Sequence, residues 1–260
     1  MVHGQSGGQI RNIRWRYKVR ELPRIVVLTG AGVSAESGLK TFRDNNGLWE
    51  QHRVEEVATP EAFATNPALV YRFYNARREQ LQQPEIAPNA AHIALAECEK
   101  ALGDNFLLVT QNVDDLHERA SSECVIHMHG QLLSARCCQS GKSHVWKTSF
   151  DADTHCPCCK PPARLRPNIV WFGEMPLRME DIISALSNAD IFIAIGTSGQ
   201  VYPAAGFVQL AKDNGARTIE LNLQPSDTIT LFDESKQGLA SEIVPAFLRE
   251  LLEEWQYPRH

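Results

Sequence analysis

The stretch RIVVLTGAGVSAESG, residues 24–38, decides the fold. Its first part, Arg24 to Leu28, is a short β-branched apolar run flanked by Pro23 and by Thr29-Gly30, and it reads as a buried strand. Gly30-Ala31-Gly32-Val33-Ser34-Ala35 follows directly and matches G-x-G-x-x-A, with a helix expected to begin inside it. In this pattern the first glycine permits a tight turn. The second lets the backbone approach a pyrophosphate seated on the helix N-terminus. A plain strand-to-helix turn would carry the same letters; the position after the first strand favours a dinucleotide.

Three further runs look alike: FLLVT (Phe106 to Thr110), IFIAIGTS (Ile191 to Ser198) and TIELN (Thr218 to Asn222). Helical patterns separate them. Asn89 caps NAAHIALAECEKALGD after Pro88, and Gly103 ends it. MEDIISALSNAD and AAGFVQLAKDNG space apolar residues by three and four, and EIVPAFLRELLEEW puts Leu248, Leu251, Leu252 and Trp255 on one face. Strands alternating with helices predict an α/β fold, a Rossmann-like doubly wound parallel sheet. Asp44 to Gln83, largely helical, and Ser121 to Pro167, rich in cysteine and proline, break the rhythm. They are read as insertions packing together. The expected organisation is a basic leader over 1–23, a nucleotide-binding domain over 24–43, 84–120 and 168–260, and a small inserted domain over 44–83 and 121–167.

The chain has 260 residues, 43% hydrophobic and 22% charged, with a formal net charge of −5 and seven cysteines. A packed core is attainable, and no apolar run is long enough to suggest a membrane span. A mildly acidic total argues against a dedicated nucleic-acid binder. The N-terminal segment carries Arg11, Arg14, Arg16, Lys18, Arg20 and Arg24 against Glu21, and reads either as a solvated segment or as an electrostatic contact for nucleic acid or an acidic partner. It lacks the apolar core of a signal peptide, so a cytoplasmic protein is expected. There the cluster Cys137, Cys138, Cys156, Cys158 and Cys159 points to metal binding or thiol chemistry rather than a disulfide framework.

Ligands of open α/β sheets bind beyond the carboxyl ends of the strands. Gly30, Gln111, Asn112, Gly196, Thr197, Ser198 and Asn222 should therefore converge on one crevice. A dehydrogenase would place an acidic residue about 20 positions beyond the glycines, at a strand end. Glu50 is at that distance but lies in TFRDNNGLWEQHR, which has no strand character. A long loop over the site, with Phe42, Arg43 and Trp49 as a lid, suits chemistry at the nicotinamide–ribose bond better than hydride exchange. Ile126-His127-Met128-His129-Gly130 follows the polar run Gln111-Asn112-Val113-Asp114-Asp115-Leu116-His117. A histidine in such a place can be a structural hydrogen-bonding residue; neighbouring Asn and Asp favour a general base for one of them.

GAGVSAESGLKTFRDNNGLW (30–49), TQNVDDLH (110–117), HMHG (127–130), WFGE (171–174), GTS (196–198) and NLQ (222–224) together resemble the sirtuin family, nearest to its bacterial CobB-type and desuccinylase-like branch. The resemblance implies an NAD-dependent protein-lysine deacylase that consumes NAD. The acyl oxygen would attack C1′ of the nicotinamide ribose, nicotinamide would leave, and water would finally release lysine and O-acyl-ADP-ribose from an alkylimidate. By the same resemblance His129 is the catalytic base, Asn112 holds the ribose and a water, and Asp114, Ala31 and Phe42 form the nicotinamide pocket. Gln111, Ser34 and Arg43 match ribose and phosphate contacts; Gly30, Gly32 and Trp49 belong to the same nucleotide site. Gly196, Thr197, Ser198, Asn222, Leu223, Gln224 and Ala240 match the adenosine side.

Phe172, Gly173 and Glu174, with the segment Gly199 to Tyr202 around Val201, match strands that clamp acylated-lysine peptides by β-augmentation. Tyr74 and Arg77 read by pattern as a core aromatic and a solvated basic face. The resemblance makes them readers of a succinyl or malonyl carboxylate, with Ala58 and Ala62 leaving room for the acyl chain. The family's zinc site takes two C-x-x-C pairs. Here Cys156 and Cys159 form one pair, while Cys137 is followed three residues later by Ser140. A structural zinc on Cys137, Cys156 and Cys159 would need Cys138 or His144 as a fourth ligand; a degenerate site is the alternative. A non-catalytic NAD or ADP-ribose sensor and an ADP-ribosyltransferase are the competing function classes.

Overall fold

The computed structural model describes residues 22–39, 48–49 and 52–256. Along the chain these residues form β1 (Ile25–Thr29), β2 (Leu48–Trp49), β3 (His52–Arg53), α1 (Val54–Val57), α2 (Pro60–Thr65), α3 (Pro67–Leu81), α4 (Ala90–Leu102), β4 (Phe106–Thr110), α5 (Leu116–Arg119), β5 (Val125–His127) and β6 (Gly130–Cys137). They continue with β7 (Ser143–Val145), β8 (Leu165–Ile169), α6 (Met179–Ser187), β9 (Ile191–Ile195), α7 (Phe207–Asp213), β10 (Arg217–Asn222), β11 (Glu234–Gln237) and α8 (Ala240–Gln256).

Six strands form one sheet in the order β11-β10-β9-β1-β4-β5, all parallel. Counted along the chain this is the Rossmann order 3-2-1-4-5-6, and the order reverses between β1 and β9. The alternation of β1 explains the layers. Ile25 and Val27 face a core with Leu95 and Cys98 of α4 and Val244, Phe247, Leu248 and Leu251 of α8. Val26 and Leu28 face the opposite core with Ile182 and Leu186 of α6 and Phe207, Val208 and Ala211 of α7. Each such buried aliphatic side chain contributes about 2 kcal/mol of burial free energy.

The four expected sheet strands are present. Two more, β5 and β11, extend the sheet at its edges. They escaped the pattern because β5 has three residues and β11 reads Glu-Ser-Lys-Gln, with no apolar run. β5 also means that the stretch from Ser121 first adds to the large sheet and enters the smaller one only at Gly130. That smaller sheet is antiparallel, in the order β7-β6-β8. α1, α2 and α3 pack on it through Val57, Ala58, Tyr74, Leu132, Ile169 and Trp171. No described helix is long and apolar enough to cross a membrane.

At the reversal point three glycines interlock. Gly30 N–H donates to Ile195 O (2.9 Å) and Gly32 N–H to Gly196 O (3.0 Å), extending the β1–β9 ladder. A Cβ on Gly32 would lie 2.7 Å from Gly196 Cα, and one on Gly196, whose φ is +62°, would lie 2.5 Å from Val33 N. The helix expected within GAGVSAESG is absent; two three-residue 3₁₀ turns, Ala31–Val33 and Ala35–Ser37, replace it. The crowding at Gly196 predicts that Gly196→Ala lowers unfolding free energy by roughly 3 kcal/mol, measurable by urea denaturation.

Candidate functional site

The ends of β1, β4, β9 and β10 converge at the reversal point, as the strand endings require. Gly30, Ala31, Gly32, Gln111, Gly196, Thr197 and Ser198 lie there on loops. The space left by the missing side chain of Gly32 is taken by the Gly196 backbone.

A buried polar network stands behind this rim. Ser34 Oγ–H donates to Asp114 Oδ2 (3.0 Å), and Asn112 Nδ2 donates to Ser34 Oγ (3.1 Å) and to Gly30 O (3.2 Å). His92 accepts from Asn89 N–H at Nδ1 (3.3 Å), so Nε2 carries the proton and faces Ser34 Oγ at 3.4 Å. Burial pushes the His92 imidazole down to about 4, so it stays neutral. Burial raises the Asp114 carboxyl to about 6, against the opposing hydrogen bonds from Leu116 N–H and Ser34. A second chain runs from His117 Nε2 to Thr29 Oγ1 (3.0 Å) and on to Thr110 Oγ1 (2.8 Å), which accepts from Asn112 N–H (3.0 Å). His92, Thr29 and Thr110 are not among the expected site residues, and His117 stands there only as the end of the polar run from Gln111; the sequence signal for Thr29 and Thr110 is the threonine that ends both β1 and β4, in register across the pair.

His129 follows β5 and lies half-buried. Its Nδ1 is 3.1 Å from Gln111 O, an atom that can only accept. Nδ1 therefore carries the proton, and Nε2 presents a lone pair. Burial lowers its pKa, partly offset by the Gln111 carbonyl. His129 thus rests against the loop that carries Asn112 and Asp114, in the protonation state of a base.

On the far side Asn222 Nδ2 donates to Thr197 O (2.6 Å). Leu223 and Gln224 are exposed, and Ala240 is half-buried at the start of α8. Phe42 and Arg43 lie outside the described residues, and Trp49 is described only as backbone paired with His52.

The expected peptide-clamping strands are turns. Glu174 N–H closes on Trp171 O (2.9 Å), with Gly173 at φ +88° between them, and Gly199 to Tyr202 is irregular around half-buried Val201. Glu174 is held from behind: its carboxylate accepts from Arg166 Nη1 (2.7 Å) and Nη2 (2.9 Å) and from Trp171 N–H (2.9 Å). Phe172 is exposed, and its N–H donates to Ala58 O (3.0 Å).

On α3, Tyr74 is wholly buried and its hydroxyl accepts from Trp171 Nε1 (3.0 Å). Half-buried Arg77 lies with its guanidinium 4.8 Å from the Phe73 ring centroid. The arginine sunk in the interior is its neighbour Arg78, which donates to Leu132 O and Trp146 O, both at 3.1 Å.

Cys137, Cys156, Cys158 and Cys159 bring their sulfurs within 4.8 Å of one another. Tetrahedral thiolates about 2.3 Å from zinc are about 3.8 Å apart. Here Cys137–Cys159 is 3.7 Å and Cys158–Cys159 is 3.9 Å. Ser140 N–H and Ala163 N–H point at Cys137 Sγ (3.4 Å) and Cys156 Sγ (3.3 Å), as donors to thiolates would. The set fits a closed structural zinc site. Its fourth sulfur is Cys158, correcting the expectation of Cys138 or His144. Cys138 follows Cys137 at the end of β6, where successive side chains point to opposite faces, and it is exposed. His144 lies on β7, opposite Ala135. Metal analysis of purified variants should show zinc lost or sharply reduced in Cys158→Ser and retained in Cys138→Ser.

The chain is 63% identical over 235 residues to the NAD-dependent protein deacylase of Salmonella typhimurium, covering 90% of this chain and 86% of that one. It is 63% identical over 232 residues to the enzyme of the same name from Escherichia coli K12, covering 89% and 83%. A solved complex of a Sir2 homologue with NAD superposes with a TM-score of 0.79 at 40% identity, covering 89% and 90% of the two chains. A mutant Sir2 homologue bound to ADP-ribose gives 0.81 at 38%, covering 91% and 94%. The Sir2 family profile matches residues 30–203. With the profile matched over more than half of the chain and these relatives at 63% identity, the chain belongs to the Sir2 family.

Proposed function

We propose that this protein is an NAD-dependent protein-lysine deacylase that removes acetyl and succinyl- or malonyl-type groups. The observation that carries the reading is His129: its Nδ1 is committed to the carbonyl of Gln111, the residue before buried Asn112, which leaves Nε2 as a base. NAD is a substrate. It supplies the ribose C1′ to which the acyl oxygen transfers as nicotinamide departs. His129 Nε2 takes the proton of a ribose hydroxyl, which makes that oxygen the nucleophile toward the acyl carbon. Asn112 holds the ribose through its amide, and Asp114 lines the nicotinamide side. Water then completes release of free lysine and O-acyl-ADP-ribose. The remaining nucleotide contacts are assigned to Gly30, Ala31, Gly32, Ser34, Phe42, Arg43, Trp49, Gln111, Gly196, Thr197, Ser198, Asn222, Leu223, Gln224 and Ala240.

The finer part of the proposal concerns the acyl group and the peptide. Tyr74 and Arg77 read the distal carboxylate, and Ala58 and Ala62 leave room for the chain. Ala58, Ala62, Tyr74 and Trp171 share one packed cluster, and Trp171 leads directly into Phe172, Gly173 and Glu174. With Val201, those residues offer backbone to the peptide. We place this apparatus on a smaller module made of 44–83 and 121–167, with Val125–His127 counted in the larger sheet. Cys137, Cys156, Cys159 and Cys158 hold its structural zinc away from the chemistry.

Incubation with NAD and acylated peptides, read by mass spectrometry, should yield O-acyl-ADP-ribose. Absence of nicotinamide release would mean a sensor, and ADP-ribosylated protein a transferase. His129→Tyr should remove activity while thermal unfolding stays cooperative. Arg77→Met should lower kcat/KM for succinyl-peptide about tenfold to a hundredfold, the cost of a lost charge-assisted pair, with acetyl-peptide changed by about twofold or less. Equal losses on both substrates would overturn the carboxylate assignment.

A further inference from the structure

We propose that His127 is a positioning residue: held as an imidazolium between the Asn112 carbonyl and the Glu118 carboxylate, it clamps the loop that carries Asn112 and Asp114. The inference rests on the assignment of Asn112 to the ribose made above.

The ring of His127 lies between two groups that can only accept. Nδ1 is 3.3 Å from Asn112 O, and Nε2 is 2.5 Å from Glu118 Oε1. A neutral imidazole has one N–H and would turn a lone pair toward one of these oxygens. Both contacts are hydrogen bonds only when both nitrogens are protonated. The side chain is 7% exposed, so water offers little relief for a mismatched contact.

The surroundings favour the cation. α5 contributes Glu118 and the buried His117, the loop contributes Asp114, and the paired strand β4 presents Thr110, which does not titrate. Burial opposes the charge, but the hydrogen bond and attraction of Glu118 outweigh it, so the His127 pKa is raised. The same pairing lowers that of Glu118 in spite of its own burial.

His127 and His129 sit two residues apart, and each turns Nδ1 to one of two successive carbonyls, Asn112 and Gln111. Of the two, His127 alone has a carboxylate at Nε2 among the described residues. One histidine of the pair is thereby a charged clamp and the other a neutral base. Asn112 is held at its amide N–H by Thr110, at its side chain by Gly30 and Ser34, and at its carbonyl by His127.

The sign of the pH effect follows. A group with a raised folded pKa contributes its stabilisation below that value and loses it as pH rises through it. The clamp therefore opens on the alkaline side, where NAD binding weakens. The acid limb belongs to His129, whose lowered pKa keeps it neutral further into acid.

The test has two arms. In the unaltered protein, long-range proton–nitrogen correlation spectra of the histidine rings, taken from about pH 5 to about pH 9, should show both His127 nitrogens protonated near neutrality and His129 neutral with its proton on Nδ1. In parallel, the Kd for NAD is measured calorimetrically without acyl peptide. It should rise about tenfold above the His127 titration, the loss of one charge-assisted hydrogen bond. In Glu118→Gln that rise should move to lower pH by about one pH unit, with kcat at saturating NAD changed by about twofold or less. A neutral His127 near pH 7, or an NAD profile that Glu118→Gln leaves in place, overturns the proposal. Protein that binds no NAD at any pH would refute the ribose assignment instead, and the ring spectra alone would then decide whether His127 is the clamp.

Discussion

The close approach of two strand ends at the reversal point is the constraint on which the rest of the structure depends. β1 and β9 are neighbours in the sheet, yet each leads its following loop to a different side. Their ends stay in contact for two further hydrogen bonds because Gly30, Gly32 and Gly196 carry no Cβ. Side chains there would part the loops. The sheet could still form, but the rim of backbone groups at the crevice would be displaced, and with it Ser34, which begins the buried network.

From that point order is passed inward by hydrogen bonds rather than by apolar contact alone. Ser34, Asn112 and Asp114 share one buried knot, and Thr29 with Thr110 forms a second beneath it. Buried polar groups of this kind are costly unless every partner is in place. They therefore specify a single arrangement of the loop after β4. The smaller sheet is tied to the same region from the other side. Arg166 stacks 3.4 Å from the Trp171 ring centroid and grips Glu174, and Trp171 in turn holds the Tyr74 hydroxyl. The turn at Gly173 and helix α3 thus share one rigid support.

Much of the fold was legible. β1, β4, β9 and β10 are buried on both faces, so they read as continuous apolar runs whatever surrounds them. Edge strands carry no such mark: β11 is polar and largely exposed, and β5 is three residues long. The stretch after Gly30 was expected to be helical because its letters fit that motif, but packing against Gly196 breaks it into 3₁₀ turns. The site was legible as a set of residues at strand ends, and its supporting groups were not. His92 is part of an amphipathic helix by pattern, and only the fold sets its ring against Ser34. Cys158 was hidden for a similar reason. The spacing of Cys156 and Cys159 satisfies a pair by itself, and nothing local says that the sulfur between them turns inward while Cys138 turns away.

The sequence by itself determined the sheet class, the strand ends that meet at the crevice and the family to which these motifs belong. These are properties of short segments: apolar runs, glycine positions and side-chain types at fixed spacing. Tertiary structure alone decided which groups pair across long separations. The tautomer of His129 is set by Gln111, 18 residues away, and the fourth cysteine of the sulfur cluster by how the turn around Cys158 folds over Cys137. The two ring partners of His127 come from the loop after β4 and from α5. Protonation and ligation depend on what faces an atom at hydrogen-bond distance, and that is settled only when the separate segments are packed together.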